Sequence, residues 1–251
     1  MASLSIARTE APHPRAWLRV ALIVLSLLLC IPGHALWRLF RARSPWPQLF
    51  LRLAGRAAGA RISIVGRPVR SNVLYIANHV SWLDIVVLAG QTGTAFVAKA
   101  DMAPWPVIGW MATLNNSVYV ARDQRLDVSA QAAAMKAALE THQPLTLFPE
   151  GTTGNGRELL PFRSSLVASV APPPEGITIQ PVAIDYGPDA GDIAWTDEES
   201  VGHNALRVMS RPGRLHVTLR FLAPLNHADF DDRKVISAHS RDEIAAALSL
   251  D

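Results

Sequence analysis

The chain has 251 residues, of which 49% are hydrophobic and only 18% are charged, an apolar composition for a water-soluble protein. A chain of this length buries one sizeable hydrophobic core. Its single cysteine, Cys30, excludes an intrachain disulfide and any cysteine-based metal cluster.

The formal net charge of +3 hides a strong asymmetry along the chain. Up to Arg70, eleven lysines and arginines accompany a single acid, Glu10, for a charge of +10, whereas the remaining residues carry −7. A basic N-terminal part suits an anionic membrane surface. Aromatic-interleaved and zinc-type signatures of nucleic-acid binding are absent from the sequence. We therefore expect a membrane surface as a partner, and no nucleic acid.

The most apolar segment covers residues 20–31, twelve residues without a charge. As a helix it would span about 18 Å, less than the hydrocarbon core of about 30 Å. Extension to residues 16–40 adds arginines and tryptophans that suit an interface, but Pro32-Gly33 is expected to interrupt the helix. We predict a membrane-embedded or re-entrant anchor. A full span is the second interpretation, and a signal peptide ending near Gly33-His34-Ala35 is the third.

Between residues 35 and 60, arginines alternate with leucine, tryptophan and phenylalanine, which is typical of basic helices on a membrane surface. From residue 61 the chain alternates short β-branched runs with helical patterns. We therefore predict an anchor with basic amphipathic helices over residues 1–60 and a catalytic domain over residues 61–251. The expected fold class is α/β, with a mixed sheet flanked by helices and an N-terminal membrane-anchoring segment.

Seven strands and four helices are predicted in the second part. The strands are 62–65, 73–77, 95–98, 117–120, 145–148, 177–183 and 215–222, and the helices are 82–89, 128–140, 163–170 and 241–248. The segment from Gly187 to Ser200 is predicted to be a polar loop.

His79 and Asp84 stand between the strand predicted at 73–77 and the helix that follows. In one regular helix, residues five apart point in different directions, so His79 must lie outside the helix. With Ser81 as N-cap, Asp84 is the third helical residue and completes an S-x-x-D capping box. Asp84 is then either a plain capping acid or the carboxylate that orients a general base. A metal site with these two residues has no third ligand nearby in the sequence.

A second group of polar residues follows the strand at 145–148. The segment F148-P-E150-G151-T152-T153-G154 is a strand that leads into a glycine-rich turn, which offers backbone N–H groups and threonine hydroxyls to an anion. A tight surface turn is the alternative. The sequence has no G-x-S-x-G nucleophile elbow, so an attacking hydroxyl would belong to a substrate.

Together these motifs resemble the glycerolipid acyltransferase family, the 1-acylglycerol-3-phosphate acyltransferases and their relatives. The segment from Asn78 to Asp84 looks like the H-x-x-x-x-D block of the family, and F148-P-E-G-T152 looks like its F-P-E-G-T block. The segments F96-V-A-K99 and Q180-P-V-A-I are also similar. The resemblance extends over residues 73–186.

The resemblance implies acyl transfer from acyl-CoA or acyl-carrier protein to a lysolipid hydroxyl. His79 would act as general base and Asp84 would orient it, while Glu150, Gly151 and Thr152 would bind the acceptor headgroup. Arg122 matches an arginine that holds the acceptor phosphate, a role that suits a guanidinium. Lys99 either contacts a phosphate or the donor, or forms a salt bridge. No cofactor or metal is implied, and a thioester donor implies the cytosolic face of the inner membrane.

The principal expectation for the acceptor is 1-acyl-sn-glycerol-3-phosphate, which would yield phosphatidic acid. The chain departs from the family pattern at Asn115-Asn116, where a glycine is common, and at Thr153, where an arginine is common. The form F148-P-E-G-T-T153, followed by L160-P-F-R-S-S-L166 and by A194-W195 in a later loop, is similar to a bacterial branch that includes lyso-ornithine lipid acyltransferases. A lyso-ornithine lipid is therefore the alternative acceptor. A lipid hydrolase and a non-catalytic lipid-binding protein are more distant alternatives.

Overall fold

A computed structural model describes residues 13–40, 44–99, 115–120, 133, 137–168, 173, 175–196, 199–225 and 232–248. The helices are α1 (Pro14–Trp37), α2 (Trp46–Ala57), α3 (Trp82–Thr92), α4 (Ser164–Val167), α5 (Ala190–Ile193), α6 (Val201–Ser210) and α7 (Arg233–Leu248). The strands are β1 (Ala60–Gly66), β2 (Val73–Ala77), β3 (Ala95–Lys99), β4 (Val118–Val120), β5 (Leu145–Leu147), β6 (Thr178–Asp185) and β7 (Leu215–Phe221).

The strands form one mixed sheet in the order β1-β7-β6-β2-β5-β3-β4. Strands β6, β2, β5, β3 and β4 run parallel to one another, and β7 is antiparallel to β6 and parallel to β1. The carboxyl ends of β2, β5 and β6 therefore lie at the same edge of the sheet as the beginnings of β1 and β7. In a parallel sheet this edge is the usual place of a binding site. The predicted α/β class with a mixed sheet is confirmed.

Strand β2 lies in the middle of the core and is buried along its whole length. Val73, Tyr75 and Ala77 join the apolar cluster formed with α2 and α3, whereas Leu74 and Ile76 join a cluster on the opposite face, with Ile236 of α7. Side chains of a strand alternate between faces, so a strand covered by helices on both sides is apolar throughout. Because β2 is held on both faces, the loop that follows Ala77 leaves the core at the carboxyl edge of the sheet.

All seven predicted strands are present, with ends that differ by up to two residues. Helix α3 begins at Trp82 as predicted and runs three residues further than predicted, and α4 covers the first part of the helix predicted at 163–170. Helix α7 begins at Arg233, earlier than predicted. Residues 137–140 are helical, but most of the helix predicted at 128–140 lies outside the described residues. Helix α6 was not predicted; it begins after Ser200, whose hydroxyl caps it by accepting from the His203 N–H.

The expected interruption at Pro32-Gly33 is wrong, because α1 continues to Trp37 with Pro32 inside it. Together with the short 3-10 turn that follows, the apolar helical segment Pro14–Phe40 has 27 residues, long and apolar enough to cross a membrane by length and composition. One side of α1 packs on the domain, through Ile23, Leu27 and Cys30. Most of its surface is apolar and exposed. The loss of one backbone hydrogen bond at Pro32 is thus offset by packing along the neighbouring turns.

Gly33 of α1 lies directly against the Trp46 ring of α2. A Cβ atom at this position would lie 2.3 Å from the Trp46 ring. Glycine in a helix normally costs about 1 kcal/mol relative to alanine, so its presence here is explained by the contact. The two helices could not pack as they do with a larger residue.

We therefore expect Gly33→Ala to lower the free energy of unfolding by about 1 to 3 kcal/mol, because the Trp46 ring must move. The matched control is Gly202→Ala in α6, where an added Cβ meets nothing within 4 Å. In that variant the free energy of unfolding is expected to rise by up to about 1 kcal/mol. Denaturant unfolding in detergent micelles measures the free energy of unfolding of the two variants. An increase in both variants would contradict the tight contact between Gly33 and the Trp46 ring.

Candidate active site

His79 lies in the short loop between β2 and α3, at the carboxyl end of a buried strand. Ser81 is the N-cap of α3, and its hydroxyl accepts from the Leu83 N–H. Asp84, the third helical residue, closes the capping box by accepting from the Ser81 N–H at 2.8 Å. The predicted capping box is confirmed. It leaves His79 outside the helix and free to turn toward Asp84.

The imidazole of His79 and the carboxylate of Asp84 are in direct contact. His79 Nδ1 lies 2.8 Å from Asp84 Oδ2, and the Asp84 side chain is fully buried. The same oxygen accepts from the backbone N–H groups of Val80, at 2.7 Å, and Ser81. Three donors around one oxygen hold the carboxylate in place and stabilise its charge. Asp84 thus both caps α3 and fixes the Nδ1–H tautomer of His79.

The second oxygen of Asp84 accepts from the hydroxyl of Tyr186, at 2.5 Å from Oδ1. Tyr186 follows the end of β6, the neighbour of β2 in the sheet, and is buried. Burial, and then the adjacent Asp84 carboxylate, raise the pKa of Tyr186 well above its ordinary value. The phenol is therefore a neutral donor at every working pH, and the site is a Tyr186-Asp84-His79 chain of hydrogen bonds.

Glu150 holds the loop of His79 through the backbone. Its Oε1 accepts from the His79 N–H at 2.6 Å, and its Oε2 accepts from the Leu160 N–H at 3.2 Å. Going the other way, the Gly154 N–H donates to the His79 carbonyl oxygen at 2.7 Å. The turn between them passes through Gly151, whose φ of 78° favours glycine. The F-P-E-G-T-T-G segment and the histidine loop are therefore hydrogen-bonded as one unit.

Burial raises the pKa of Glu150 to about 7, although the N–H groups of His79 and Leu160 lower it. The carboxyl group is 3% exposed, and the Asp84 charge adds to the shift. Glu150 therefore has a pKa near neutral pH while it accepts a hydrogen bond from the backbone of the His79 loop.

Aromatic rings support the imidazole from one side. The rings of His79 and Phe148 are stacked with centroids 4.1 Å apart, and Phe96 stacks on Phe148 at 5.7 Å. The His79 side chain is 14% exposed, and its Nε2 has no hydrogen-bond partner among the described residues. One face of the ring is packed and one nitrogen is fixed, so Nε2 is the atom left to meet a substrate.

A third loop, after β6, is attached to both of the others. Trp195 donates its backbone N–H to the Val80 carbonyl at 2.9 Å, and its own carbonyl accepts from the Thr153 hydroxyl. Asn78, before the histidine, exchanges two hydrogen bonds with the backbone of Ile184, at 3.0 and 2.7 Å. The carboxyl ends of β2, β5 and β6 thereby form a single hydrogen-bonded edge.

The structure describes five of the seven predicted site residues at one place. His79, Asp84, Glu150, Gly151 and Thr152 lie together at this edge, with Thr152 half-buried. Lys99 ends β3, but its side chain lies outside the described residues, as does all of Arg122. In the described part of the chain, no group of three or more histidine, cysteine or acidic side chains could hold a metal ion.

Sequence reasoning missed the positioning residues. Tyr186 and Asp84 are 102 positions apart, and Asn78 and Ile184 are 106 positions apart, so no local spacing relates them. The available indication was that polar residues follow the ends of two predicted parallel strands, which place them at one edge if the strands are neighbours.

Comparisons with known proteins agree with this geometry. The family model described as Acyltransferase matches residues 61–185. The lyso-ornithine lipid O-acyltransferase of Rhizobium meliloti is 34% identical, over 93% of this chain and 87% of that protein. The 1-acyl-sn-glycerol-3-phosphate acyltransferase of Neisseria gonorrhoeae is 31% identical, over 78% of this chain and 80% of that protein.

The crystal structure of the 1-acyl-sn-glycerophosphate acyltransferase of Thermotoga maritima has the same fold. It superposes with a TM-score of 0.64 at 20% identity, over 93% of this chain and 96% of that one. With the apolar helix α1, these relatives indicate that the chain is associated with a membrane. The chain belongs to the acyltransferase family and is an acyltransferase enzyme.

Proposed function

We propose that the enzyme transfers an acyl chain from a thioester donor, acyl-CoA or acyl-carrier protein, to the free hydroxyl of a lysolipid. The observation that carries this proposal is the contact of His79 Nδ1 with buried Asp84 Oδ2, which leaves Nε2 facing outward. Nε2 removes the proton from the hydroxyl, and the hydroxyl oxygen attacks the thioester carbonyl carbon. The C–S bond breaks, the thiolate takes the proton from the imidazolium, and an ester and a free thiol result.

Asp84 is the carboxylate that stabilises the imidazolium during the transfer. Gly151 and Thr152 are proposed to contact the acceptor headgroup, together with Arg122 and Lys99. Glu150, which we also predicted to bind the headgroup, instead bonds the backbone of His79 and Leu160. We propose that it acts through His79 as a positioning residue. No resident cofactor takes part in this scheme.

We propose a lyso-ornithine lipid as the acceptor. Relatives of that name in Rhodobacter capsulatus, Rhizobium meliloti and Brucella abortus match over 87 to 94% of their length. Two of the residues in the motifs that resemble this branch, Thr153 and Trp195, are also joined by a hydrogen bond. The second candidate is 1-acyl-sn-glycerol-3-phosphate, the acceptor expected first from the motifs. It is supported by the Neisseria relatives, which match over 80% of their length.

Helix α1 and the basic N-terminal part are proposed to hold the enzyme on an anionic membrane surface. Since both thioester donors are cytosolic, the active site would face the cytosol on the inner membrane. Retention of the first 35 residues in the mature protein is part of this proposal. The intact mass of the membrane protein tests it directly against a cleaved signal peptide.

The test of function is thiol release from acyl-CoA and acyl-carrier protein by membranes that contain the enzyme, with each acceptor added in turn. We expect release that depends on lyso-ornithine lipid and that is lost in the His79→Ala variant. Release with lysophosphatidic acid alone would establish the second acceptor. Free fatty acid formed without any acceptor would identify a hydrolase and overturn the proposal.

A further inference from the structure

A cleft lined with arginines lies between α1, the end of α2 and the beginnings of β1 and β7. Its volume is about 640 Å³, and Arg19, Arg56, Arg61 and Arg214 line it. No acidic side chain lines it within the described residues. We call it the arginine cleft. In the sheet, β1 and β7 are three and two places from β2, so the cleft is separate from the His79 site.

Among the described residues, no acidic side chain neutralises the positive charge of this cleft. Arg19 donates to the backbone carbonyls of Met209, at 3.0 Å, and Gly213, at 2.8 Å, which fix its position but leave its charge. Arg56, Arg61 and Arg214 are exposed and make no ion pair or side-chain hydrogen bond within the part of the chain that is described. Like charges gathered around one cleft repel each other unless an anion lies between them.

The wall of the cleft on the α1 side is apolar. It consists of Leu18 and Leu22, which are 62% and 43% exposed and belong to the exposed apolar surface of α1. A ligand that fits must therefore present a negative group to the arginines and a hydrocarbon part to the leucines. A guanidinium binds phosphate oxygens in pairs, so phosphate is the best match for the negative group.

We propose that the arginine cleft binds the phosphate headgroup of an anionic phospholipid, with the acyl chains against Leu18 and Leu22. This inference deepens the proposed membrane association and does not depend on the choice of acceptor. Acyl-CoA also combines phosphates with a hydrocarbon chain, but its thioester has to reach His79, which lies outside this cleft, so binding of the donor is an outcome of the test. Bound there, a phospholipid fixes α1 against the sheet edge that carries the active site.

The test is native mass spectrometry of the full-length enzyme in detergent with phosphatidylglycerol or phosphatidylcholine. The variant is Arg56→Gln, Arg61→Gln and Arg214→Gln combined, which leaves Arg19 and its two backbone hydrogen bonds in place. The control combines Arg67→Gln, Arg233→Gln and Lys234→Gln, three exposed cations away from the cleft, and loses the same charge. Neither variant touches the His79 site.

We expect phosphatidylglycerol to bind about 100-fold more weakly to the cleft variant, since each arginine near an anionic lipid contributes about fivefold. Phosphatidylcholine binding and the control variant should not change. Equal loss of phosphatidylglycerol binding in both variants would overturn the proposal, because net charge alone would then explain it. A raised KM for acyl-CoA in detergent, with phosphatidylglycerol binding intact, would also overturn it and assign the cleft to the donor. A failure of acyl transfer in the unmodified enzyme would show in the thiol assay instead.

Discussion

Replacement of Asp84 by asparagine is expected to lower kcat for acyl transfer by about 10²-fold to 10³-fold while the fold is kept. Three donors converge on Asp84 Oδ2, two of them backbone N–H groups. The asparagine must therefore place its carbonyl oxygen there, because its amide nitrogen would face those donors. The amide nitrogen then meets the Tyr186 hydroxyl, which accepts in place of donating. His79 keeps its Nδ1–H tautomer, and only the negative charge beside the imidazolium is lost.

The measurement is thiol release at saturating donor and acceptor, with unfolding followed in the same detergent. Tyr186→Phe is the matched control, because it keeps the Asp84 charge and removes one hydrogen bond to the same carboxylate. We expect it to lower kcat less than about tenfold and to cost about 1 to 3 kcal/mol of stability for the oxygen left without its donor. Should the asparagine variant turn over like the unmodified enzyme, Asp84 would be a helix cap and nothing more.

The positions of the main catalytic candidates were predictable because the patterns that fix them are local. A five-residue run such as 73–77, apolar at every position, has to be a strand buried on both faces, and Ser81 with Asp84 sets the start of the next helix. Together, these two constraints place His79 in the loop before the helix and Asp84 in the first turn of the helix, from which its side chain reaches back toward His79. They bring the two side chains within reach of each other, but the sequence left open whether Asp84 only caps the helix, and the structure decides it with the contact at 2.8 Å.

The partners that support the pair could not be predicted in the same way. Tyr186, Glu150 and Gly154 reach the histidine loop only because β2 lies between β5 and β6, and strand order depends on packing across the whole sheet. Both carboxylate oxygens of Glu150 accept from backbone N–H groups, those of His79 and Leu160, and no pattern in the sequence indicated these contacts. A sequence gives the residue type, but the donors available to a buried carboxylate are set by the fold.

The error at Pro32 has a related origin. Proline in a soluble helix removes one hydrogen bond and bends the axis, which justified the expectation of a break. In α1 the following residue, Gly33, lies directly against the Trp46 ring of α2, and this contact holds the turn in helical form. The contact belongs to the packing of two helices and has no local indication in the sequence.

Glu150 is expected to make the stability of the enzyme depend on pH in the neutral range. With a pKa of about 7 in the fold and 4.5 as the ordinary value, the folded state holds one more proton than the unfolded state between pH 4.5 and 7. Stability from this group is therefore full below pH 4.5 and is lost as pH rises to 7. The loss amounts to about 3 kcal/mol, from about 1.4 kcal/mol for each unit of pKa difference.

Glu150→Gln isolates this effect because glutamine resembles the protonated carboxyl group and does not titrate. Its carbonyl oxygen still accepts from the His79 N–H, and its amide group replaces the oxygen beside Leu160. Denaturant unfolding of both proteins in detergent, from pH 4.5 to 8, gives the difference in their free energies of unfolding. From pH 4.5 to 7, the free energy of unfolding of the variant should rise by about 3 kcal/mol relative to that of the unmodified enzyme, and above pH 7 the difference should stay constant. Titrations of groups that both proteins share cancel in this difference. Parallel curves across this range would mean that the Glu150 carboxylate is ionised in the fold at no cost. The loop of His79 would then be held by a charged acceptor at every working pH.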